Sequence, residues 1–398
     1  MGCAQATTSL GAMTLPSFRV DIQISAHNEG QEQYIVLNDP FGVAEGPIML
    51  HADMIDIVSL CDGETTLDDV AASAGVDIDG PEMMQVRLFI AQLERMGYFD
   101  GETANERFKQ VAEEWSALAV RPPVCAGNTY PADAHELARF LDAMAESDAA
   151  SDEEVHSDQQ SPSMVLLPHI DFRVAPHVYG RAFRHLRSIE ADVAVIIGTS
   201  HYWDGDPIVV TNKPFETPLG VVPVMGHPFY RPRADLAHKP EHSIELHVVL
   251  LQHLWQGRTF EILPILVTQS IFEQNALEQV AEQIRNVVEA SGRKACWLIS
   301  GDLAHIGRKF GDDAPAFVIA NEVKAADLQL VNALEENDLA RYRTSIETHR
   351  NRFRVCGFAP TVLAHTAYKA GKGRSIAYDM WNEEETQSAV SFATIIWD

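Results

Sequence analysis

Short runs of consecutive apolar residues alternate with helical patterns through most of the chain after residue 160. Apolar runs such as Val193–Ile197 and Ile262–Val267 are rich in β-branched residues, which is typical of strands buried on both faces. Between these runs, apolar residues recur at helical spacing. Buried strands that alternate with helices predict an α/β domain, with a mixed sheet flanked by helices. The predicted strands are 164–167, 193–197, 208–211, 262–267, 297–299 and 390–396, and the predicted helices are 176–188, 243–255, 274–291, 316–337, 338–345 and 360–369.

A smaller unit is predicted at residues 21–105, ahead of the α/β domain at 120–398. Its order of β-rich and helical segments predicts a winged helix. Between Asp21 and Glu102 there are 17 acidic residues and only two basic ones, Arg87 and Arg95. DNA readers need a basic footprint to neutralise phosphates, so this unit is expected to bind a peptide or to pack on a neighbouring domain. The predicted strands are 18–25, 34–37 and 98–99, and the predicted helices are 52–60, 66–74 (with Thr66 as N-cap) and 82–96.

Charge and cysteine content narrow the class of protein further. The 398 residues carry 30 Lys and Arg against 57 Asp and Glu, for a formal charge of −27, which repels nucleic acids and anionic lipids. No apolar run reaches the ~18 residues that span a bilayer. The five cysteines are scattered without a CxxC pair, which favours a reducing cytoplasm. Two polar segments, 1–20 and the acidic 145–163, are predicted to be disordered.

Three of the predicted strands run directly into histidine-containing turns. The strands end before Pro168-His169, Gly198-Thr199-Ser200-His201 and Ser300-Gly301-Asp302-Leu303-Ala304-His305. Because sites in open α/β sheets form past the carboxyl ends of strands, these imidazoles and Asp302 are expected to meet at one edge. Glu241 and His242, at the mouth of a predicted helix, are expected to close the same cleft.

A fourth candidate, Cys356, lies just before the last long predicted helix. Helix N-termini lower thiol pKa values, so Cys356 is predicted to be a thiolate. Two imidazoles and one anionic ligand can hold a redox-active metal with open positions, which makes His169, His201 and Cys356 candidate ligands. Thiolate with imidazole suits iron, copper or zinc better than magnesium or calcium. A cysteine nucleophile activated by His305 or His201 is the competing hypothesis.

From about residue 120 onward the chain resembles the Memo family, known in bacteria as AmmeMemoRadiSam system protein B. The resemblance rests on six ordered blocks: Arg121-Pro122-Pro123-Val124-Cys125-Ala126-Gly127-Asn128-Thr129-Tyr130-Pro131-Ala132-Asp133, Pro168-His169, Gly198-Thr199-Ser200-His201, Glu241-His242-Ser243-Ile244-Glu245, Ser300-Gly301-Asp302-Leu303-Ala304-His305 and Cys356-Gly357-Phe358-Ala359-Pro360. In the N-terminal unit, Gly63-x-Thr65-Thr66-Leu67-x-Asp69-Val70 resembles a PqqD-type peptide-recognition winged helix.

The Memo family is similar in structure to class III extradiol dioxygenases. By that resemblance His169 and His201 match two iron-binding histidines, Cys356 stands in place of a glutamate ligand, and His305 matches the acid/base. Asp302 is implied to line the same pocket, and Asp302 and His242 are predicted to take part in catalysis. The first block departs from the common family pattern, because Asp171 and Arg173 follow His169. They are predicted, together with Glu241, to contact substrate, as an ion pair or a clamp for a substrate carboxylate.

The resemblance implies a cytoplasmic, metal-dependent oxidoreductase that uses iron or copper and acts with oxygen on an unknown substrate. The N-terminal unit favours a peptide-borne substrate. Radical-SAM and Ammecr1-like proteins are the partners that the family name implies, whereas nucleic acid and membrane are not expected. Two alternatives remain open: a non-catalytic peptide-binding scaffold and a cysteine hydrolase.

Overall fold

A computed structural model describes residues 13–29, 32–146 and 161–398. The chain divides into two compact units, residues 1–117 and 118–398. Within the described ranges, no helix combines the length and the apolar composition needed to cross a bilayer.

In its described residues, the N-terminal unit combines a three-stranded antiparallel sheet with four α-helices. Its strands pair in chain order. As predicted, Thr66 caps the second helix: its hydroxyl accepts the backbone N–H of Asp69, and the Asp69 carboxylate accepts the N–H of Thr66 in return. Such a capping box satisfies N–H groups that a helix start leaves unpaired. The elements are β1 (Gln23–Glu29), β2 (Glu32–Asn38), β3 (Ile48–His51), α1 (Ile55–Ser59), α2 (Leu67–Ala74), α3 (Pro81–Met96) and α4 (Glu102–Ala117).

The N-terminal segment is more ordered than its composition predicts. Residues 1–12 lie outside the described residues, but the prediction of disorder is wrong for 13–20. Leu15 is buried and its backbone N–H donates to Thr65 O at 2.8 Å. Phe18 forms a β-bridge with Phe99. Apolar side chains at these positions draw the segment into the core, and the winged-helix assignment stays a prediction.

The C-terminal unit is built on a mixed eight-stranded sheet with helices on its faces, as the sequence predicts. Strand order is β11-β13-β4-β10-β5-β9-β6, with β12 paired to β13. Strands β4, β10, β5 and β9 are parallel, and the others run antiparallel to their neighbours. The sheet strands are β4 (Met164–Leu167), β5 (Val193–Thr199), β6 (Ile208–Val210), β9 (Glu261–Val267), β10 (Ala295–Ser300), β11 (His305–Gly307), β12 (Gly373–Glu383) and β13 (Ser388–Trp397), and a separate hairpin contains β7 (Phe215–Thr217) and β8 (Gly220–Val222).

Among the described residues, two large buried apolar clusters form most of the core of this unit, beside a smaller third cluster. Residues on alternating positions of the same strands divide between them, as in Val195 and Ile196 of β5, which indicates one cluster on each face of the sheet. The helices that contribute are α5 (Ala134–Glu146), α6 (Pro176–Ser188), α7 (Glu245–Leu254), α8 (Ser270–Glu273), α9 (Leu277–Ala290), α10 (Ala316–Glu335), α11 (Leu339–Glu347) and α12 (Phe358–Ala367).

The predicted acidic loop is shorter than expected at both ends. Residues 145 and 146 still belong to α5, and the backbone N–H of Ser163 donates to Trp397 O at 2.8 Å. The prediction for 147–160 lies outside the described residues.

The parallel register brings three strand ends together. Ser300 of β10 is level with Leu167 of β4 on one side and with Gly198 of β5 on the other. The turns that follow these three positions therefore leave the sheet side by side, as expected for parallel strands.

Candidate metal centre

His169 is held in the turn after β4 with one ring nitrogen already bonded. Its backbone N–H donates to Asp302 Oδ1 at 3.0 Å, and its Nδ1 lies 3.1 Å from Ser300 Oγ. The Ser300 hydroxyl donates to Ser243 O at 2.6 Å, so its oxygen is free to accept Nδ1–H. Burial, reinforced by neighbouring imidazoles, holds the pKa of His169 well below its usual range. The neutral ring therefore presents an Nε2 lone pair.

His201 is oriented by the buried carboxylate of Glu241. Its backbone N–H donates to Glu241 Oε2 at 2.8 Å, and its Nδ1 donates to Oε1 at 2.9 Å. Burial alone would lower the pKa of His201, but the Glu241 charge and hydrogen bonds with Glu241 and Cys356 raise it well above its usual value. The second ring proton thus faces the Cys356 sulfur, at the position that a metal cation would take.

Cys356 reaches this site through a close approach of two glycines. A Cβ atom on Gly301 would lie 2.3 Å from the Cα of Gly357, so only glycine fits at this contact. The approach places Cys356 Sγ 3.3 Å from His169 Nε2 and 3.2 Å from the backbone N of Asp302, which donates to it.

The thiol differs from the thiolate that the sequence predicts. Burial raises the pKa of Cys356 above its ordinary value, although His201 opposes this shift. Cys356 lies two residues ahead of the first residue of α12, and the helix terminus does not offset the loss of solvent. A bound cation would stabilise the Cys356 thiolate and so offset the effect of burial on its pKa.

The candidate ligand atoms converge. One atom from each of His169, His201 and Cys356 lies within 4.8 Å of the other two. Imidazole nitrogen with thiolate sulfur suits iron, copper or zinc. Two further groups meet the same distance criterion and share residues with the first: His201, Glu241 and His242, and Asp302, His305 and Cys356.

The predicted catalytic residues surround this centre. The His242 ring stacks on His201 with 4.7 Å between centroids, and burial lowers its pKa to about 4. Burial also lowers the pKa of His305 to about 4 and raises that of Asp302 to about 7. The site thus holds neutral imidazoles beside a carboxyl group that titrates near neutrality, a combination suited to proton transfer.

The predicted substrate contacts have protein partners. Glu241 accepts the backbone N–H groups of His242 and Ser243, at 3.0 and 3.1 Å, besides both bonds from His201. These bonds occupy the Glu241 carboxylate, which therefore positions the segment of the candidate ligand His201. Asp171 and Arg173 form the predicted ion pair, with Nε 3.0 Å from Oδ1, and the Arg173 side chain is 63% exposed.

The sequence patterns do not assign a role to Arg121 or Glu245, two charged residues of the blocks described above. Arg121 and Glu245 form a fully buried ion pair. Arg121 also donates to the carbonyl oxygens of Glu241 and of His238, the latter at 2.9 Å. The Glu245 carboxylate accepts the backbone N–H of Cys125 at 2.9 Å. The pair thus anchors the segment that carries Glu241. The charges of Arg121 and Glu245 within two of the sequence blocks could have indicated the pair.

The six blocks and this geometry agree with a family comparison. A family model described as "Memo-like protein" matches residues 121–396. The chain belongs to the Memo family. The match begins just after the boundary between the two units, so the family region coincides with the C-terminal unit.

Curated relatives divide according to how much of this Memo-family chain they match. A MEMO1 family protein of Aquifex aeolicus is 28% identical over 382 residues, which cover 91% of this chain and 95% of the relative. One from Methanosarcina acetivorans is 26% identical over 294 residues, covering 70% and 99%. One from Archaeoglobus fulgidus is 28% identical over 267 residues, covering 65% and 91%. The two archaeal relatives are matched over nearly their whole length, whereas the Aquifex match extends into the N-terminal unit.

Proposed function

We propose that the C-terminal unit is a metal-dependent oxidoreductase that holds iron or copper through His169, His201 and Cys356. The convergence of two imidazole nitrogens and one sulfur within 4.8 Å carries this proposal. The observed donor set matches the preference of these metals for imidazole and thiolate ligands.

The hydrogen bonds around the two rings support the fit. Each Nδ1 is already bonded, that of His169 to Ser300 and that of His201 to Glu241. Each Nε2 is thereby directed to the shared space. A carboxylate behind a metal-binding histidine fixes the ring and raises its basicity, and Glu241 occupies that position for His201.

The raised pKa of the Cys356 thiol also supports a metal. Burial keeps this thiol protonated, although His201 opposes the shift, and a bound cation would stabilise its anion. Metal binding is therefore expected to release a proton from Cys356, which couples affinity to pH.

Bound iron or copper would supply one-electron chemistry with oxygen. The residues of this chain would bind the substrate beside it and move protons. His305, neutral because burial lowers its pKa to about 4, serves as a base through Nε2. Asp302, with a pKa of about 7, holds or releases a proton near neutral pH. The oxidised substrate is proposed to be peptide-borne, with the acidic N-terminal unit as its recognition module.

The test is metal content and oxygen uptake of the full chain. Protein purified anaerobically is incubated with ferrous or cuprous ion, desalted and measured by mass spectrometry. The expected result is close to one metal per chain, lost in His169→Ala and in Cys356→Ala. His177→Ala, which removes a partly exposed histidine paired with Asp379, is the matched control and should keep the metal.

Oxygen uptake with a reductant then distinguishes catalysis from binding alone. Uptake that requires the metal and falls in His305→Ala supports the oxidoreductase. Metal that binds equally well to wild type and both ligand variants contradicts the proposed site. Folded protein that takes up no metal favours the peptide-binding scaffold.

A further inference from the structure

Two reciprocal hydrogen bonds join Arg354 to His305. The Nδ1 atom of His305 lies 3.1 Å from Arg354 O, and Arg354 Nη1 donates to His305 O at 3.1 Å. We propose that Arg354 is a positioning residue, which fixes the tautomer of His305 by holding its own carbonyl oxygen against Nδ1–H. This role deepens the proposed function, because it would make Nε2 the reactive nitrogen of the proposed acid/base.

The tautomer follows from the partners of Nδ1. Both atoms near it are carbonyl oxygens, that of Leu303 at 3.2 Å and that of Arg354 at 3.1 Å. Carbonyl oxygens only accept hydrogen bonds, so Nδ1 carries the proton and Nε2 the lone pair. One ring nitrogen of His305 lies within 4.8 Å of ligand atoms of both Asp302 and Cys356. A ring protonated on Nε2 instead would have no lone pair at Nε2 to accept a proton.

The Arg354 carbonyl depends on a backbone conformation that arginine rarely adopts. Arg354 has φ 52°, and Arg350 and Asn351 in the same loop have φ 51° and 49°. A left-handed conformation is unfavourable for a residue with a Cβ atom, so it persists where surrounding contacts impose it. The backbone N–H of Arg354 donates to Asn351 O at 2.8 Å.

Asp312 supplies the side-chain contact that holds Arg354 in place. Arg354 Nη2 donates to Asp312 Oδ1 at 2.6 Å, and Nη1 lies 3.3 Å from Oδ2. The same carboxylate accepts the backbone N–H of Gly307 at 2.8 Å, two residues after His305. The guanidinium is thus tied to both ends of the His305 strand, and this bidentate geometry is specific to arginine.

The same loop carries a matched control. Arg352 forms an exposed ion pair with Glu322 at 3.1 Å and stacks on the ring of Phe353, but its side chain makes no hydrogen bond to His305 among the described contacts. Arg352→Gln therefore removes a charge from the loop without touching the proposed contact.

The experiment reads the His305 tautomer by ring-nitrogen NMR of the full chain near neutral pH. In wild type the two ring nitrogens of His305 should show the widely separated shifts of a single Nδ1–H tautomer. In Arg354→Gln the two shifts should move part of the way towards each other, because the Leu303 carbonyl oxygen still lies 3.2 Å from Nδ1. Asp312→Asn should have the same effect, and the double variant should add little to either change, because both substitutions remove one contact.

Three comparisons make the test decisive. Arg352→Gln should leave the His305 shifts unchanged. The shifts of His247, whose Nε2 is bonded to Pro168 O, should stay the same in every variant. Arg354→Lys, which keeps the charge but not the bidentate contact, should give His305 shifts between those of wild type and Arg354→Gln. It replaces Arg354→Gln in the test if that variant fails to fold. Wild-type shifts for His305 in folded Arg354→Gln and Arg354→Lys would overturn the proposal.

The tautomer measurement requires no metal, so it separates this inference from the proposed function. Metal content measured on the same variants should remain near wild type. A mixed tautomer in a protein that never binds metal would support the positioning role and contradict the oxidoreductase. A fixed tautomer in Arg354→Gln with normal metal binding would contradict the positioning role and support the proposed metal site.

Discussion

The Nε2 atom of His169 lies 3.3 Å from Cys356 Sγ, although 187 residues separate them in the chain. The sheet places His169 at the end of β4, and the Gly301–Gly357 approach carries Cys356 over the neighbouring strand end. The geometry of the site thus depends on a backbone contact that contains no ligand.

Gly301→Ala tests this dependence. The added Cβ would meet the Gly357 Cα at 2.3 Å, so the loop that carries Cys356 must move. Overpacking of this kind costs about 1–3 kcal/mol of unfolding free energy, and we expect metal binding to weaken strongly as well. Chemical denaturation and metal titration measure the two effects. Gly371→Ala, where a Cβ meets nothing within 4 Å, is the control, and equal behaviour of the two variants would contradict the prediction.

Glu241→Gln should weaken metal binding while the chain stays folded. The carboxylate of Glu241 accepts Nδ1–H of His201 and three backbone N–H groups. An amide has only one accepting oxygen, so it cannot satisfy all of these donors. Loss of such a partner typically lowers metal affinity about 10- to 100-fold. Competition with a chelator measures the affinity, with the exposed Glu216→Gln on β7 as control. Unchanged affinity in Glu241→Gln would show that His201 does not need this support.

The buried strands and the strand-end histidines could be predicted, because buried parallel strands leave continuous apolar runs and their ends share an edge. His169, His201 and Cys356 could be grouped for that reason together with the ordered family blocks. Residues outside these patterns were harder to predict. Strand β3 and helix α4 of the N-terminal unit were not predicted, and Leu15 was placed in a disordered segment although it is buried.

The protonation of the site could not be predicted from sequence. The position of Cys356 before α12 favours a thiolate, but the burial that raises its pKa arises from tertiary packing. Likewise, the sequence predicts a substrate contact for Glu241 and does not reveal its backbone donors. The N–H groups of His201 and Ser243 come together at Glu241 only in the fold. Hydrogen-bond partners that lie far apart in sequence leave no local pattern.

Arg121→Met should destabilise the C-terminal unit strongly. Both members of the Arg121–Glu245 pair are fully buried, so removal of the arginine leaves an uncompensated buried carboxylate. Breaking a buried pair in this way costs about 3–5 kcal/mol. Denaturant unfolding followed by tryptophan fluorescence measures it. Arg343→Met, which breaks an exposed pair with Glu347, should cost no more than about 0.5 kcal/mol. Similar losses in the two variants would mean that the buried pair contributes no more than a surface one.

Asp327→Asn should stabilise the protein at neutral pH and remove part of its pH dependence. Asp327 is buried on α10, where burial raises its pKa to about 6, against hydrogen bonds from Ser391 and Tyr378. Because the folded-state pKa lies above the unfolded value of 3.8, the protonated form favours folding. This contribution is complete below about pH 4 and is lost as the pH rises through about 6, by about 3 kcal/mol in total.

Asparagine is neutral at every pH, so the variant should unfold at higher denaturant concentration than wild type near pH 7, and the difference should shrink as the pH falls towards 4. Denaturant midpoints measured across this range test the sign. The exposed Asp313→Asn is the control, because the same charge is removed at a residue in contact with solvent. A difference between Asp327→Asn and wild type that grows on acidification would mean that Asp327 is ionised in the folded protein and stabilises it in that form.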